Sequence, residues 1–426
     1  MKKSRYNYLV DWKENQTLLF NTWNHGLVEL DDDTLRKYND DTLDVDIAGT
    51  MSELGFLIED NVNELKEIQQ KYEKSCANPS HMKLTVMTTE RCNFRCPYCY
   101  QSHNAKDMTF ENADALCKFL EKTYKNQIHT VDLSWFGGEP LLNAEPIFRV
   151  ERVIKEWKFE GYSHITTNGY LLSDAILDRF RKETRISSIQ ITLDGTEELH
   201  NATRCHISGQ PTYRVICENI QRAVKKGFFV IIRINLNKEN QDMDSFFREL
   251  KLLHLDKTKH AVHITNAHNF DCSEKLQNFY FDTAEEYSQA YSRAQDSFSK
   301  ANYQFPRNLT KNVGCGFECN NVFLVGCDLN LYFCSSCELS EFFKQGYIDN
   351  DGSLHLNENY GRRKEVSAFN DEECRNCIVL PMCMGACAYC RIKGDKFCIP
   401  ERYILDDYIV RLYNEARNQI GEETGL

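Results

Sequence analysis

From Lys83 onward, short apolar runs alternate with segments whose apolar residues recur every three or four positions. The runs Leu84 to Thr88, Thr130 to Trp135, Ser163 to Thr167, Ser187 to Leu193, Phe229 to Leu236 and Ala261 to Asn266 predict strands. The segments between them, Glu111 to Tyr124, Ala144 to Trp157, Ser173 to Lys182, Tyr213 to Lys226 and Asp242 to Leu253, predict helices. Strand–helix units repeated in this way imply a parallel sheet. Their number predicts an α/β fold, a partial (β/α)6 TIM-like barrel over residues 81–267. Ligands of such sheets gather at the carboxyl ends of the strands.

The flanks read differently. Residues 1–80 open with the runs Tyr6 to Val10, Thr17 to Trp23 and Leu27 to Leu30. Acidic helix-like segments at Asp31 to Tyr38 and Leu43 to Leu54 follow, then a short run at Gly55 to Ile58. Small strands followed by helices predict a winged-helix-like module. Residues 268–312 are polar and aromatic with no clear period and read as a bridge. Residues 313–400 form a cysteine-rich block, and residues 401–426 close the chain with an amphipathic helix from about Glu401 to Ile420.

Composition narrows the function. A net charge of -12 over 426 residues leaves no basic stripe of the kind nucleic acid requires, so no nucleic-acid partner is expected. No stretch has the length of apolar sequence a membrane helix needs, and the N-terminus lacks the apolar core of a signal peptide. The expected setting is cytoplasmic, with no membrane association and with thiols kept reduced. Against that background 19 cysteines, eleven of them between Cys315 and Cys398, point to metal before disulfides.

Cys92, Cys96 and Cys99 stand in C-x3-C-x2-C spacing directly after the first predicted barrel strand. Three thiolates on one loop can hold three irons of a cubane and leave the fourth open. The competing reading is a structural zinc loop, which lacks a fourth ligand because no histidine stands at the expected spacing. At the end of the second strand comes Gly137-Gly138-Glu139-Pro140. Glycines there let backbone approach a ligand and a carboxylate can pair with an ammonium group, although a plain turn before a helix would look similar. Thr166-Thr167-Asn168-Gly169 ends the third strand, and Leu193-Asp194-Gly195 the fourth, with His200 and Arg204 downstream.

In this order the motifs resemble the radical SAM superfamily. The resemblance implies that Cys92, Cys96 and Cys99 hold a [4Fe-4S] cluster that cleaves S-adenosyl-L-methionine reductively to a 5′-deoxyadenosyl radical. It places Tyr98 beside the adenine, and Gly137, Gly138, Glu139 and Pro140 at the methionyl amino group, with Glu139 as charge partner. Asn168 and Asp194 fall near the cofactor, Arg204 grips the methionyl carboxylate, and Asn235 contacts the ribose. His200 reads more readily as a structural histidine.

The C-terminal block contains Cys374-x2-Cys377-x5-Cys383-x3-Cys387 followed by Cys398, with Cys315, Cys319 and Cys334 upstream. Two zinc-ribbon sites are the competing reading of this spacing. The pattern resembles the SPASM domain, which implies two auxiliary [4Fe-4S] clusters and three clusters in all. The resemblance further implies interleaved ligands, with Cys315, Cys319, Cys334 and Cys387 on one cluster and Cys374, Cys377, Cys383 and Cys398 on the other, an arrangement with a precedent in two-cluster ferredoxins. Cys327 and Cys337 compete with Cys319, and Cys390 stays unassigned. Cys76, Cys117, Cys205, Cys217 and Cys272 read mostly as small buried apolar residues.

Within the superfamily the chain resembles SPASM-containing peptide maturases, and its first 80 residues resemble the leader-recognition element of ribosomal-peptide-modifying enzymes. The resemblance implies an enzyme that cross-links a ribosomal precursor peptide, leader plus core, through a cysteine thioether, with a flavodoxin or ferredoxin as electron donor. The alternatives are a sulfatase-maturating oxidase, a maturase forming carbon–carbon or carbon–oxygen links, and a non-catalytic electron-transfer protein. Ser335 follows Cys334 where the sulfatase-maturating branch usually carries an aspartate.

Overall fold

The computed structural model describes residues 1–267, 276, 278–305 and 315–424; Cys272 lies outside the described residues. Strand β1 (Lys2–Lys3) pairs antiparallel with β5 (Leu57–Ile58). Between them β2 (Asn7–Lys13), β3 (Gln16–Asn21) and β4 (Leu27–Asp31) form a three-stranded antiparallel sheet. Helices α1 (Asp32–Asn39) and α2 (Val45–Glu53) follow, and after β5 comes α3 (Glu64–Cys76). The sequence reading missed α3. Its start is marked by Asn63, whose side chain accepts from Lys66 N at 3.1 Å, and it buries only Glu64, Ile68 and Tyr72. So thin an apolar stripe gives a weak period.

The barrel strands are β6 (His81–Met87), β7 (Thr130–Phe136), β8 (Ser163–Thr167), β9 (Ile186–Thr192), β10 (Phe229–Leu236) and β11 (His260–Asn266). All run parallel, each beside the next, within a few residues of the predicted runs. Their crossovers carry α4 (Phe110–Lys125), α5 (Glu145–Glu156), α6 (Asp174–Glu183), α7 (Glu197–Thr203), α8 (Tyr213–Lys225) and α9 (Met243–Lys251). The fold is therefore α/β with a largely parallel central sheet.

Two corrections concern what lies beyond β11. The stretch read as a bridge, 268–312, contains the helix α10 (Ala284–Lys300). Its buried face mixes Tyr287, Ala290, Tyr291, Ala294 and Phe298 with Ser288, Ser292 and Gln295, so burial keeps a helical period that hydrophobicity alone does not. The cysteine block, for which the sequence predicts no strands, contributes four. Strands β12 (Val322–Val325), β13 (Asn330–Tyr332), β14 (Lys344–Ile348) and β15 (Leu354–Leu356) continue the barrel sheet, giving the order β11-β10-β9-β8-β7-β6-β12-β13-β14-β15. β12 is parallel to β6, and the last three strands are antiparallel.

Three short helices, α11 (Glu372–Arg375), α12 (Leu380–Cys383) and α13 (Ala388–Ile392), carry the remaining cysteines. They precede α14 (Leu405–Thr424), which starts a turn later than expected because the 3-10 turn Pro400–Arg402 intervenes. The N-terminal sheet packs on this end of the chain. Val10, Leu18 and Phe20 share one apolar cluster with Val379, Met382, Leu405 and Ile409, and Thr22 Oγ1 donates to Ile378 O at 2.5 Å. Among the described residues no helix is long and apolar enough to cross a membrane.

Candidate active site

The loop after β6 brings Cys92, Cys96 and Cys99 to one cavity at the carboxyl end of the sheet. The loop is held from outside by backbone bonds. Arg95 N donates to Cys205 O at 2.7 Å and Ile207 N to Asn93 O at 2.9 Å. Burial pushes the Cys92 thiol up to about 11 and the Cys96 thiol up to about 12, with the neighbouring thiols adding to the shift. Burial raises Cys99 as well. Three desolvated thiols facing one space are a donor set that binds metal only by giving up protons.

Among the described residues no three His, Cys, Asp or Glu side chains converge on a point as the ligands of one ion must. A cubane asks for something else, since each thiolate takes its own iron. The three-cysteine loop fits that requirement. One premise of the sequence reading is corrected here: a histidine does stand near. His103 Nε2 lies 3.4 Å from Cys99 Sγ and lines the same cavity.

Gly137 and Gly138 line the cavity, but their need for glycine comes from the cysteine loop behind them. A Cβ on Gly137 would lie 2.5 Å from Thr89 O, and one on Gly138 would lie 2.2 Å from Arg91 O. Two short ladder bonds, Gly138 N to Thr89 O at 2.9 Å and Glu139 N to Arg91 O at 2.8 Å, complete that contact. Glu139 is fully buried and Pro140 buried beside it, and neither lines the cavity. The Glu139 carboxylate ties two strand ends together: Oε1 accepts from Leu141 N at 3.0 Å and Thr167 Oγ1 at 2.7 Å, and Oε2 from Asn168 N at 2.7 Å.

Asn168 lines the cavity, and its Nδ2 donates to Asn93 Oδ1 at 2.8 Å. Opposite stands a polar network. Tyr98 donates its hydroxyl to Asp194, receives Arg204 Nη1 at 2.9 Å, and stacks on Phe279 with ring centroids 5.5 Å apart. Asp194 Oδ1 accepts from Asn235 N at 2.9 Å and Asn235 Nδ2 at 3.2 Å. Arg204 is 7% exposed, and its Nε has no partner; Asn266 Oδ1, on the same cavity, also has none. A buried guanidinium N–H left open beside thiols suits a ligand carrying a carboxylate. His200 does not reach the cavity. It is fully buried, its Nδ1 accepts from Asp194 N at 3.3 Å, and its Nε2 lies 3.2 Å from Thr212 Oγ1, so it braces the Asp194 loop.

Sequence reasoning missed Arg233, Tyr100 and Asn266, which line the cavity. Arg233 was legible: in β10 the apolar Val230, Ile232, Ile234 and Leu236 are fully buried, and the alternate positions Arg233 and Asn235 carry polar groups to the other face.

In the cysteine block, Cys315 is raised to about 12 by burial and by its neighbours Cys334 and Cys387. Cys337 hydrogen-bonds Cys334, and Cys390 hydrogen-bonds Cys387. Cys387 thus stands with the upstream cysteines. Cys374 feels Cys383, Cys377 feels Cys398, and Arg402 Nη1 donates to Cys398 Sγ at 3.1 Å. Cys327 instead neighbours Glu90 and Asp328. Cys319 Sγ lies 3.4 Å from Cys76 Sγ, which corrects the reading of Cys76 as apolar filler.

Residues 86–250 match the family model of the radical SAM superfamily. Cyclopropyl synthase TigE of Paramaledivibacter caminithermalis is 26% identical over 253 residues, 47% of this chain and 52% of its own length. A GTP 3′,8-cyclase of Aliarcobacter butzleri is 32% identical over 152 residues, 35% of this chain and 45% of its own, so the chain spans about half of these relatives. A cysteine-type anaerobic sulfatase-maturating enzyme of Clostridium perfringens is 21% identical over 363 residues, 77% of this chain and 96% of its own. Two solved structures share the fold. Native anSMEcpe with bound AdoMet aligns with TM-score 0.63 at 18% identity, covering 79% of this chain and 99% of that one. Streptococcus suis SuiB bound to precursor peptide SuiA aligns with TM-score 0.55 at 14%, covering 94% and 98%. With three cysteines at the carboxyl end of a parallel sheet and the family match over the same strands, this chain carries a radical SAM domain.

Proposed function

We propose that the protein is a radical SAM peptide maturase that cross-links a ribosomal precursor peptide, joining a cysteine sulfur to a carbon of another residue. One observation carries this reading. The cavity of Cys92, Cys96 and Cys99 and a second cavity share Tyr100, Gln101 and His103, and the second reaches Ser335, Cys337 and Glu338 beside Cys334. A chain held across both would present one residue to the first set of thiols and a neighbour to the second.

The family's [4Fe-4S] cluster and S-adenosylmethionine supply one-electron chemistry when bound. Cys92, Cys96 and Cys99 would hold the cluster. Arg204, through its open Nε, takes the methionyl carboxylate. Glu139 fixes the turn at Asn168 from behind and is assigned to the amino group only through that turn. Tyr98 and Asn235 line the cavity and are both held in place by Asp194 behind them. Cys315, Cys319, Cys334 and Cys387, and separately Cys374, Cys377, Cys383 and Cys398, would hold auxiliary clusters. β2 and β4 each have one edge without a strand partner among the described residues, which suits an added leader strand. SuiB, crystallised with its precursor peptide SuiA, supports the peptide assignment.

The likeness to the sulfatase-maturating enzyme over 96% of its length favours a second reading, two-electron oxidation of one cysteine or serine. Ser335 on the second cavity stands against it. The test is anaerobic reconstitution with S-adenosylmethionine, a reductant and a candidate precursor peptide, followed by mass and thiol-alkylation analysis. A loss of two hydrogens with one alkylatable thiol gone supports the thioether. Gain of an aldehyde supports the second reading. Release of 5′-deoxyadenosine with no change in any peptide refutes both.

A further inference from the structure

We propose that Cys76, the last residue of α3, and Cys319 are interchangeable ligands for one iron of the first auxiliary cluster, so that the N-terminal module contributes a ligand position to the cysteine block. The inference rests on the auxiliary-cluster reading above.

Two observations support it. First, the two sulfurs are 3.4 Å apart and are held there by backbone: Asn320 N donates to Cys76 O at 2.9 Å, and Cys319 N to Gly316 O at 3.3 Å. A cubane with four cysteine ligands takes one thiolate per iron, so two sulfurs in near contact compete for a single iron. Cys315 precedes Cys319 by one 3-10 turn, Gly316–Glu318, and is a neighbour of Cys319 on one side and of Cys334 and Cys387 on the other.

Second, the cavity that Cys76 lines contains a buried cation that stacks on the ring of Tyr360 at 4.5 Å and has no carboxylate partner among the described residues. Arg363 is 2% exposed; its Nη2 donates to Val322 O at 3.0 Å and to Gln345, while Nε and Nη1 have no partner. Glu318, on the same cavity, is already paired with Arg391 Nη2 at 2.6 Å. A buried guanidinium with two open N–H groups calls for an anion. A cluster with thiolate ligands carries the negative charge that this place lacks.

The test uses the full-length chain, reconstituted anaerobically, with iron and sulfide counted per chain and clusters followed by electron paramagnetic resonance. Cys76→Ala and Cys319→Ala should each keep the wild-type count and resonance signal, and the double variant, left with three thiolates for four irons, should show the changed signal of a cluster with one open iron. In loaded Cys319→Ala, iodoacetamide should leave Cys76 unmodified until iron is chelated, a readout that does not depend on the double variant folding. The proposal is overturned if Cys319→Ala alone shows the double variant's signal, if the double variant keeps the wild-type signal, or if Cys76 alkylates freely in loaded Cys319→Ala. Cys334→Ala is the separating control. Should it keep the wild-type signal, the auxiliary-cluster reading fails first.

Discussion

His200 and Arg204 lie one helical turn apart, yet the structure gives them different work. Arg204 reaches the cavity, while His200 stays neutral in the interior, held well below its usual value by burial and by the Arg204 charge. Its folded value is depressed, so its contribution is present above the ordinary value of 6.5 and is lost as pH falls below it, when only the unfolded chain takes up the proton. The wild-type chain should therefore lose unfolding free energy between pH 7 and 5.5 more steeply than His200→Asn in urea unfolding, by up to about 1.4 kcal/mol per pH unit. Parallel slopes would contradict this.

Gly138 gives the second prediction at this scale. Because a Cβ there meets backbone rather than a flexible side chain, Gly138→Ala must push the cysteine loop away, at about 1–3 kcal/mol. Iron bound per chain should fall, with the loss read in the electron paramagnetic resonance signal that S-adenosylmethionine perturbs. Position and spacing made both residues visible in the sequence. Which neighbours Glu139 and His200 would touch was not visible, since their partners, Asn168 and Thr212, come from other strand ends and loops.

At the scale of elements, a barrel helix with a clean apolar stripe was legible to within a residue or two, as α8 and α5 show. α10 was not, because small polar residues share its buried face. Its anchor is Phe298, fully buried and edge-on to Phe247 and Phe305, each with ring centroids 4.8 Å away. Phe298→Ala should cost about 3–5 kcal/mol in urea unfolding. A cost under about 1 kcal/mol would show that α10 is peripheral to the core.

At the scale of the molecule, the N-terminal sheet and the cysteine block form one apolar interior. Phe20 is fully buried and meets Tyr408 of α14 with ring centroids 6.4 Å apart. Phe20→Ala should lower stability by about 3–5 kcal/mol and make residues 372–405 the first to be cut in limited proteolysis. Cleavage beginning in the barrel would instead show that the two ends are independent. This packing is also what brings Cys76 to Cys319, 243 positions apart in the chain.

The sequence by itself determined the parallel α/β sheet, the order of its strands and the motifs at their carboxyl ends, because each depends on local periodicity and spacing. The tertiary structure decided what periodicity cannot encode. It placed β12–β15 on the barrel sheet, since an unpaired edge of β6 takes whichever strand the chain delivers. It also sorted the cysteines into neighbourhoods, putting Cys327 beside Glu90 and Asp328 and Cys76 beside Cys319, because closeness of thiols depends on how helices and loops pack and not on their spacing along the chain.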